Sequence, residues 1–137
     1  MPFDHCVITV PMSDHAAVVA WYEAALKPLG YTKAFTFGLA NGESVGFSNT
    51  MAENPDTGYP DWWVTGQSNG EPSKSHYAFA AKDRGLVDAF HKAAVAAGGK
   101  DNGAPGVRAQ YHANYYAAYV FDPVGNNIEV ICRTAQA

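Results

Sequence analysis

The chain carries the same order of predicted elements twice, which leaves few folds open to it. Phe3–Val10 is a short, apolar, β-branched segment, and an amphipathic helix pattern and three further strand candidates follow it. The order recurs in the second half of the chain, where the first strand aligns with His76 opposite His5. Two such units nearly exhaust the 137 residues. The sequence therefore predicts one domain built of two βαβββ modules, at about residues 1–70 and 71–137.

Caps and turn residues set the expected boundaries of these elements. Ser13 or Asp14 is the predicted cap of the first helix, and Asp83 is the predicted cap of the second. The polar segment 49–60 is expected to be a surface loop, and the glycine-rich segment 98–106 a connection. The remaining strand candidates are Tyr31–Phe37, Ser44–Asn49, Trp62–Gln67, Ser75–Ala81, Arg108–Tyr111, Tyr115–Phe121 and Asn127–Arg133.

Composition and charge exclude several classes of protein. Hydrophobic residues make up 47% of the chain and charged residues 16%, which is unlike a disordered sequence. Nine Lys and Arg against 13 Asp and Glu give a net charge of −4, and the basic residues are scattered singly. Nucleic-acid binders normally concentrate basic residues to neutralise phosphates. The sequence therefore predicts no nucleic-acid partner.

The N-terminal residues, the short apolar stretches and the cysteines predict a cytoplasmic protein. The N-terminal residues lack the basic start and apolar segment of a signal peptide, and no stretch approaches 18 apolar residues. Cys6 and Cys132 each lie inside an apolar run, where a buried, reduced thiol is the usual outcome. We therefore expect a soluble cytoplasmic protein without a membrane partner.

The doubled pattern resembles the vicinal oxygen chelate superfamily, which includes glyoxalase I, bleomycin-resistance proteins and extradiol dioxygenases. The matching segments are the early strand with His5, the helix and turn at Trp21–Tyr31, and the sequence DPVGNNIE at 122–129. The resemblance extends over essentially the whole chain. It implies an α+β fold in which the mixed sheets of the two modules curl around a central cleft, with the helices outside.

Strand periodicity places three possible metal ligands on comparable faces. Side chains alternate between the two faces of a strand, and in each strand one row is more uniformly apolar. We expect that row to pack under the helix of its module. His5, His76 and Glu129 then lie on the opposite faces of their strands.

The resemblance implies that these faces line a shared cleft in which His5, His76 and Glu129 bind a divalent metal ion, either Fe, Mn, Zn or Ni. Two neutral imidazoles and one carboxylate leave such an ion positively charged, so it polarises bound oxygens. The expected protein is a small metal-dependent enzyme of the glyoxalase/dioxygenase type. The alternative is a non-catalytic small-molecule binding or resistance protein, because bleomycin-resistance relatives keep the fold without a metal.

The reaction type stays open among lyase, isomerase, epimerase and oxygenase chemistry. Glyoxalase I has a further carboxylate ligand on the last strand of its first module, which corresponds here to about Trp63. The segment Trp62–Gln67 contains no carboxylate. Lactoylglutathione lyase activity is therefore not expected.

Several other residues are candidates for contact with a small-molecule substrate. His112 is a candidate general acid/base because its ordinary pKa lies near neutrality, and Tyr115 is a candidate proton donor. Trp63, Tyr119 and Arg133 are candidates for substrate binding, Arg133 through an anionic group. The alternatives are that the tyrosines form a packed edge, and that Arg133 pairs with a surface carboxylate. The family resemblance allows a homodimer, although no stripe in the sequence indicates an interface.

Overall fold

Two four-stranded mixed sheets and two α-helices form the fold in the computed structural model, which describes residues 4–51, 59–72 and 74–135. The α+β class and the doubled βαβββ order are confirmed. A 3₁₀ turn at Lys27–Leu29 follows the first helix. The elements are β1 (Cys6–Pro11), α1 (Met12–Leu26), β2 (Tyr31–Leu39), β3 (Gly42–Asn49), β4 (Trp62–Gln67), β5 (His76–Ala80), α2 (Arg84–Ala96), β6 (Lys100–Val107), β7 (Tyr116–Phe121) and β8 (Asn127–Cys132).

The two sheets have equivalent strand orders, β1-β4-β3-β2 in the first and β5-β8-β7-β6 in the second. In each sheet the first strand of the module pairs in parallel with the last, and the other pairs are antiparallel. This arrangement makes β1 and β5 edge strands. It also sets β5 beside β8, with His76 opposite Asn127 and Ala78 opposite Glu129.

One hydrophobic core joins both helices to the inner faces of the two sheets. Trp21 on α1 is buried and donates a hydrogen bond from Nε1 to the carbonyl of Ala94 on α2, at 3.0 Å. Trp62 on β4 packs its ring against Tyr77 and Phe79 of β5, with centroids 5.1 Å apart in both pairs. Because the inner faces are covered in this way, the outer faces of the sheets remain for functional side chains.

The two helices begin in different ways. The prediction for α2 is confirmed, because the Asp83 side chain caps the helix by accepting a hydrogen bond from the Leu86 amide at 3.0 Å. The prediction for α1 is wrong, because that helix begins at Met12 directly after Pro11 and has no side-chain cap. Pro11 ends β1, and the chain turns into the helix without an intervening residue that could act as a cap. Asp14 instead lies in the first turn, where its charge favours the helix dipole.

Replacing Asp83 with alanine should lower the free energy of unfolding by about 1 kcal/mol, because the amide of Leu86 loses its acceptor. Chemical denaturation followed by circular dichroism measures the change. Asp83→Asn is the matched control, since asparagine caps helices about as well as aspartate. Equal losses in both variants would contradict the capping role.

The glycine-rich segment after α2 is a strand, contrary to expectation. Residues 98–106 were expected to be a connection and Arg108–Tyr111 a strand, whereas β6 covers Lys100–Val107 and the chain from 108 to 115 is a loop. An edge strand with register shifts tolerates glycine and proline, and β6 has shifts on both sides of Gly103. The correction matters for function because the loop at 108–115 carries Tyr111 and His112.

The cysteines, the loop 49–60 and the length of the helices were also subjects of sequence-based expectations. Cys6 and Cys132 are free thiols; Cys132 is buried as expected, whereas Cys6 is only half-buried. Of the predicted surface loop 49–60, residues 52–58 lie outside the described part of the chain. No helix in the described residues combines the length and the apolar character needed to cross a membrane.

Candidate functional site

A pocket of about 730 Å³ lies on the outer face of the second sheet. The base of the pocket is formed by β5, β7 and β8, since each of these strands presents alternate side chains to that face. The loop between β6 and β7 supplies one wall. The lining residues are His76, Asn102, Tyr111, His112, Tyr115, Tyr119, Asn127, Glu129 and Arg133.

Glu129 is the buried carboxylate of this pocket, with 3% of its surface exposed. Its Oε2 lies 2.8 Å from Nε2 of His76, and its Oε1 accepts a hydrogen bond from the Tyr115 hydroxyl at 2.6 Å. A buried carboxylate is costly unless hydrogen bonds or a cation compensate for the lost water. The arrangement therefore gives the pocket an oriented carboxylate with an imidazole beside it.

The two phenols next to Glu129 are held in their neutral form. Burial raises the pKa of Tyr115, and the hydrogen bond to Glu129 and the charge of Glu129 raise it further. Burial and the charge of Glu129 likewise raise the pKa of Tyr119 well above its ordinary value. Both hydroxyls are therefore protonated near neutral pH and serve as hydrogen-bond donors.

Positive charge collects at the mouth of the pocket, although the chain as a whole is acidic. The Arg133 guanidinium lies 5.4 Å from the centroid of the Tyr115 ring, and that of Arg108 lies 5.6 Å from the centroid of the Tyr119 ring. His112 is exposed on the loop, and its Nδ1 accepts a hydrogen bond from the Asn114 amide at 3.1 Å. These groups suit the approach of an anionic molecule.

Most of the residues proposed from the sequence line this one pocket, but His5 and Trp63 do not. Both belong to the first module, where Trp63 on β4 stacks on Phe37 with ring centroids 5.6 Å apart. His5 precedes β1, and its Nδ1 lies 2.5 Å from an oxygen of Asp4. Within the described residues no group of three or more His, Cys, Asp and Glu side chains is placed to hold a metal ion. The chain thus brings together two of the three predicted ligands.

Two asparagines of the pocket were missed by the sequence reasoning. Asn102 on β6 donates from Nδ2 to Oδ1 of Asn127 on β8, at 3.2 Å. Asn127 has the same strand parity as Glu129, and that signal was available in the sequence. Asn102 gave no such signal, because its segment was expected to be a connection.

The outer face of the first sheet carries a group of aromatic residues, here called the first-sheet patch: Phe35, Phe37, Tyr59 and Trp63. Phe35 and Phe37 alternate along β2 and are 42% and 48% exposed. Tyr59 packs on Phe35 and Trp63, with centroids 5.7 and 6.3 Å apart. An exposed apolar patch of this kind often marks a surface that another molecule covers.

Comparison with known families and structures agrees with this architecture. A family model described as the Glyoxalase/Bleomycin resistance protein/Dioxygenase superfamily matches residues 3–130. A glyoxalase/bleomycin resistance protein from Albidiferax ferrireducens T118 is 27% identical, has a TM-score of 0.68, and aligns over 96% of this chain and 98% of its own. No curated protein matches this chain.

More distant structures share the fold alone. A glyoxylase/bleomycin resistance protein/dioxygenase domain from Frankia sp. EAN1pec is 11% identical, with a TM-score of 0.69 over 96% of this chain and 97% of that one. Glyoxalase I from Zea mays is 18% identical, with a TM-score of 0.67 over 98% of this chain. This chain spans 45% of the maize protein.

Proposed function

Because the chain belongs to the Glyoxalase/Bleomycin resistance protein/Dioxygenase superfamily, we propose that it is a small enzyme that uses a divalent metal ion bound by His76 and Glu129. The observation that carries the proposal is the 2.8 Å contact between His76 Nε2 and the buried Oε2 of Glu129. An imidazole nitrogen and a carboxylate oxygen converging on one point are ligands that Fe, Mn, Zn and Ni ions accept. The pocket above them has room for a small-molecule substrate.

Within one chain only His76 and Glu129 are placed to bind the metal ion. His5 is the proposed third ligand. Asp4 contacts Nδ1 of His5 and leaves Nε2 available. A carboxylate on one ring nitrogen orients a histidine whose other nitrogen binds metal. Since His5 does not line the pocket, a second copy of the chain would have to supply it.

A homodimer in which the first sheet of one copy covers the pocket of the other would meet this requirement. The outer face of the first sheet carries exposed apolar side chains, with the first-sheet patch at one side and the exposed Val7 beside His5. Covering that face removes apolar surface from water, which favours association. A two-fold axis would then create two equivalent sites in each dimer.

The residues of the pocket have separable roles in this proposal. Tyr115 holds Oε1 of Glu129 and so orients the carboxylate whose Oε2 faces His76. Arg133 attracts an anionic substrate, and Tyr119 donates a hydrogen bond to a substrate oxygen. His112 lies at the rim, where it can exchange protons with solvent. A bound divalent ion would polarise adjacent substrate oxygens.

Lactoylglutathione lyase chemistry is not part of the proposal. Trp63 and Thr65 occupy the same face of β4, at about the position where the resemblance to glyoxalase I implies a carboxylate ligand. The choice among isomerase, epimerase, oxygenase and other lyase reactions depends on the substrate.

The second candidate function is binding of a small molecule without catalysis. It is favoured by the tyrosines that line the pocket. In this role the phenol rings would stack on an aromatic ligand, with Arg133 pairing with its charge.

Metal content separates the two functions. The wild-type protein, incubated with Fe(II), Mn(II), Zn(II) or Ni(II) and desalted, should retain about one equivalent of one of these ions per chain. His76→Ala should lower the retained metal by more than tenfold, as measured by inductively coupled plasma mass spectrometry. The matched control is His91→Ala on α2, whose Nε2 lies 2.8 Å from Asp101 on the surface and which should leave the metal content unchanged. Less than about a tenth of an equivalent in the wild type would support the non-catalytic function instead.

A further inference from the structure

The pocket of the second sheet is unusually rich in polar groups. Each of the nine described residues that line it carries a hydroxyl, amide, imidazole, carboxylate or guanidinium group, and none of them is aliphatic, Phe or Trp. Small-molecule pockets are usually lined predominantly by hydrophobic side chains, with a few polar groups that fix the orientation of the ligand. The second sheet therefore recognises the polar side of its ligand.

One end of this pocket is suited to a carboxylate. Arg133 directly follows β8 and is exposed, and its guanidinium lies over the Tyr115 ring, 5.4 Å from the centroid. Arg133 forms no ion pair with a carboxylate of the described residues, and it is the sole Lys or Arg among those that line the pocket. A guanidinium matches a carboxylate through two parallel hydrogen bonds. One such group balances a carboxylate, whereas a phosphate group carries up to two negative charges.

The other end of the pocket carries the pair of amides formed by Asn102 and Asn127. Nδ2 of Asn102 donates a hydrogen bond to Oδ1 of Asn127 at 3.2 Å, across the intervening strand β7. This bond uses one polar atom of each amide and leaves Oδ1 of Asn102, an acceptor, and Nδ2 of Asn127, a donor. A hydroxyl group both donates and accepts, so neighbouring hydroxyls are able to pair with both of these atoms.

Strand β8 sets these groups in order along the pocket. Asn127 and Glu129 are alternate residues on the same face of the strand, so their Cα atoms are about 7 Å apart. Arg133 lies farther along the chain in the same direction. Tyr115 lies between the Arg133 guanidinium and Glu129, since its ring is under the guanidinium and its hydroxyl donates to Oε1 of Glu129 at 2.6 Å. Glu129 therefore lies between the carboxylate-binding end and the amides.

We propose that the substrate is a straight-chain polyhydroxy carboxylic acid, an aldonic acid, and that Asn102 and Asn127 select it. Its carboxylate pairs with Arg133, and its terminal hydroxyls pair with the two amides. The hydroxyl groups between these ends lie over Glu129. This inference rests on the proposed function, because it takes this pocket as the substrate site, and it adds the class of substrate. A shorter acid leaves the amides unused, and a polyol without a carboxylate leaves Arg133 unpaired.

Isothermal titration calorimetry of the wild-type chain with D-gluconate at pH 7 tests the proposal. We expect saturable binding of one molecule per chain, both in the protein as purified and after treatment with EDTA. Three matched compounds each lack one feature: D-glucitol has no carboxylate, hexanoate has no hydroxyls, and glycolate lacks the far end of the chain. Each should bind about tenfold more weakly than gluconate or worse, because it loses one set of hydrogen bonds.

Variants of the two amides test their role in selecting the substrate. Asn102→Ala, at an exposed position, should bind gluconate about 3- to 10-fold more weakly and glycolate as the wild type does, because the shorter acid does not reach the amides. Asn127→Ala should give the same pattern. Asn69→Ala is the matched control, exposed after β4 and outside the pocket, and should change neither affinity. Arg133→Gln should weaken gluconate binding about 10- to 100-fold, because a hydrogen bond between charged groups is lost.

Equal losses of gluconate and glycolate affinity in Asn102→Ala and Asn127→Ala would make the pair a structural link between β6 and β8, and would overturn the proposal. Hexanoate or D-glucitol binding as tightly as gluconate would also overturn it, as would the absence of saturable gluconate binding up to about 10 mM. The metal content of the same samples separates this inference from the proposed function. Metal retention without gluconate binding overturns the substrate class alone. Gluconate binding by a chain that retains no metal supports the substrate class and contradicts the metal-dependent enzyme.

Discussion

A mixture of His5→Ala and His76→Ala chains should recover about a quarter of the wild-type metal content. Either variant alone should retain less than about a tenth of the wild-type metal content. In the proposed dimer each site takes His5 from one copy and His76 with Glu129 from the other. A mixed dimer therefore has one site with all three ligands and one site with neither histidine. Random pairing makes about half of the dimers mixed, and one of their two sites is complete. The chains are co-expressed or refolded together, and metal is measured after desalting.

The matched control is a mixture of His76→Ala and Glu129→Gln chains. Both changes affect ligands on the same sheet, so no pairing of these chains yields a complete site and no metal should be recovered. Recovery in the control mixture would contradict the proposed division of ligands. A wild-type protein that binds one equivalent of metal as a monomer would contradict the shared site as well.

Replacing Asp122 with alanine should destabilise the protein by about 3 to 5 kcal/mol, the largest change that we expect from a single substitution. Asp122 is buried and accepts hydrogen bonds from the Tyr22 hydroxyl at 2.5 Å and the Asn126 side chain at 2.8 Å. It also accepts from the amides of Val124 and Asn126, at 3.0 and 2.8 Å. The alanine variant leaves these buried donors without a partner, and it disconnects α1 from the turn before β8. Denaturation by guanidinium measures the loss.

Tyr22→Phe is the matched comparison, because it removes one of these hydrogen bonds and keeps the ring in the core. We expect it to cost about 1 to 2 kcal/mol. Asp122→Ala and Tyr22→Phe could lower the free energy of unfolding equally. In that case water would hydrogen-bond to the amides of the turn in the alanine variant, and Asp122 would not hold the two modules together.

The fold could be predicted from the sequence because its patterns are local and occur in both modules. Each strand face is readable from alternation, and Trp62–Gln67 was predicted with the bounds that the structure has. The wrong predictions concern segments whose residue types are compatible with more than one secondary structure. Helix α1 begins directly after Pro11 without a capping side chain, and β6 is a strand despite its glycines and its proline.

That His76 and Glu129 lie close together could also be predicted. Alternation places both residues on the faces of their strands away from the helix, and the family resemblance implied that these faces share a cleft. The structure adds that β5 and β8 are parallel neighbours. The hydrogen bond between Tyr115 and Glu129 could not be predicted from the sequence, because it depends on the conformation of a loop. Loop conformation follows from packing against the rest of the molecule, which no local pattern encodes.

The sequence by itself determined the two modules and the face of each strand, since both follow from short-range periodicity, whereas the candidate metal ligands came from the family resemblance. Only the tertiary structure decided that His5 and Trp63 lie outside the pocket that contains His76. It alone brought Asp61 and Trp62 of the first module next to Tyr77 and Phe79 of the second. The physical reason is that the relative placement of two sheets depends on how their buried side chains interdigitate, through contacts such as Trp62 with Tyr77 and Phe79.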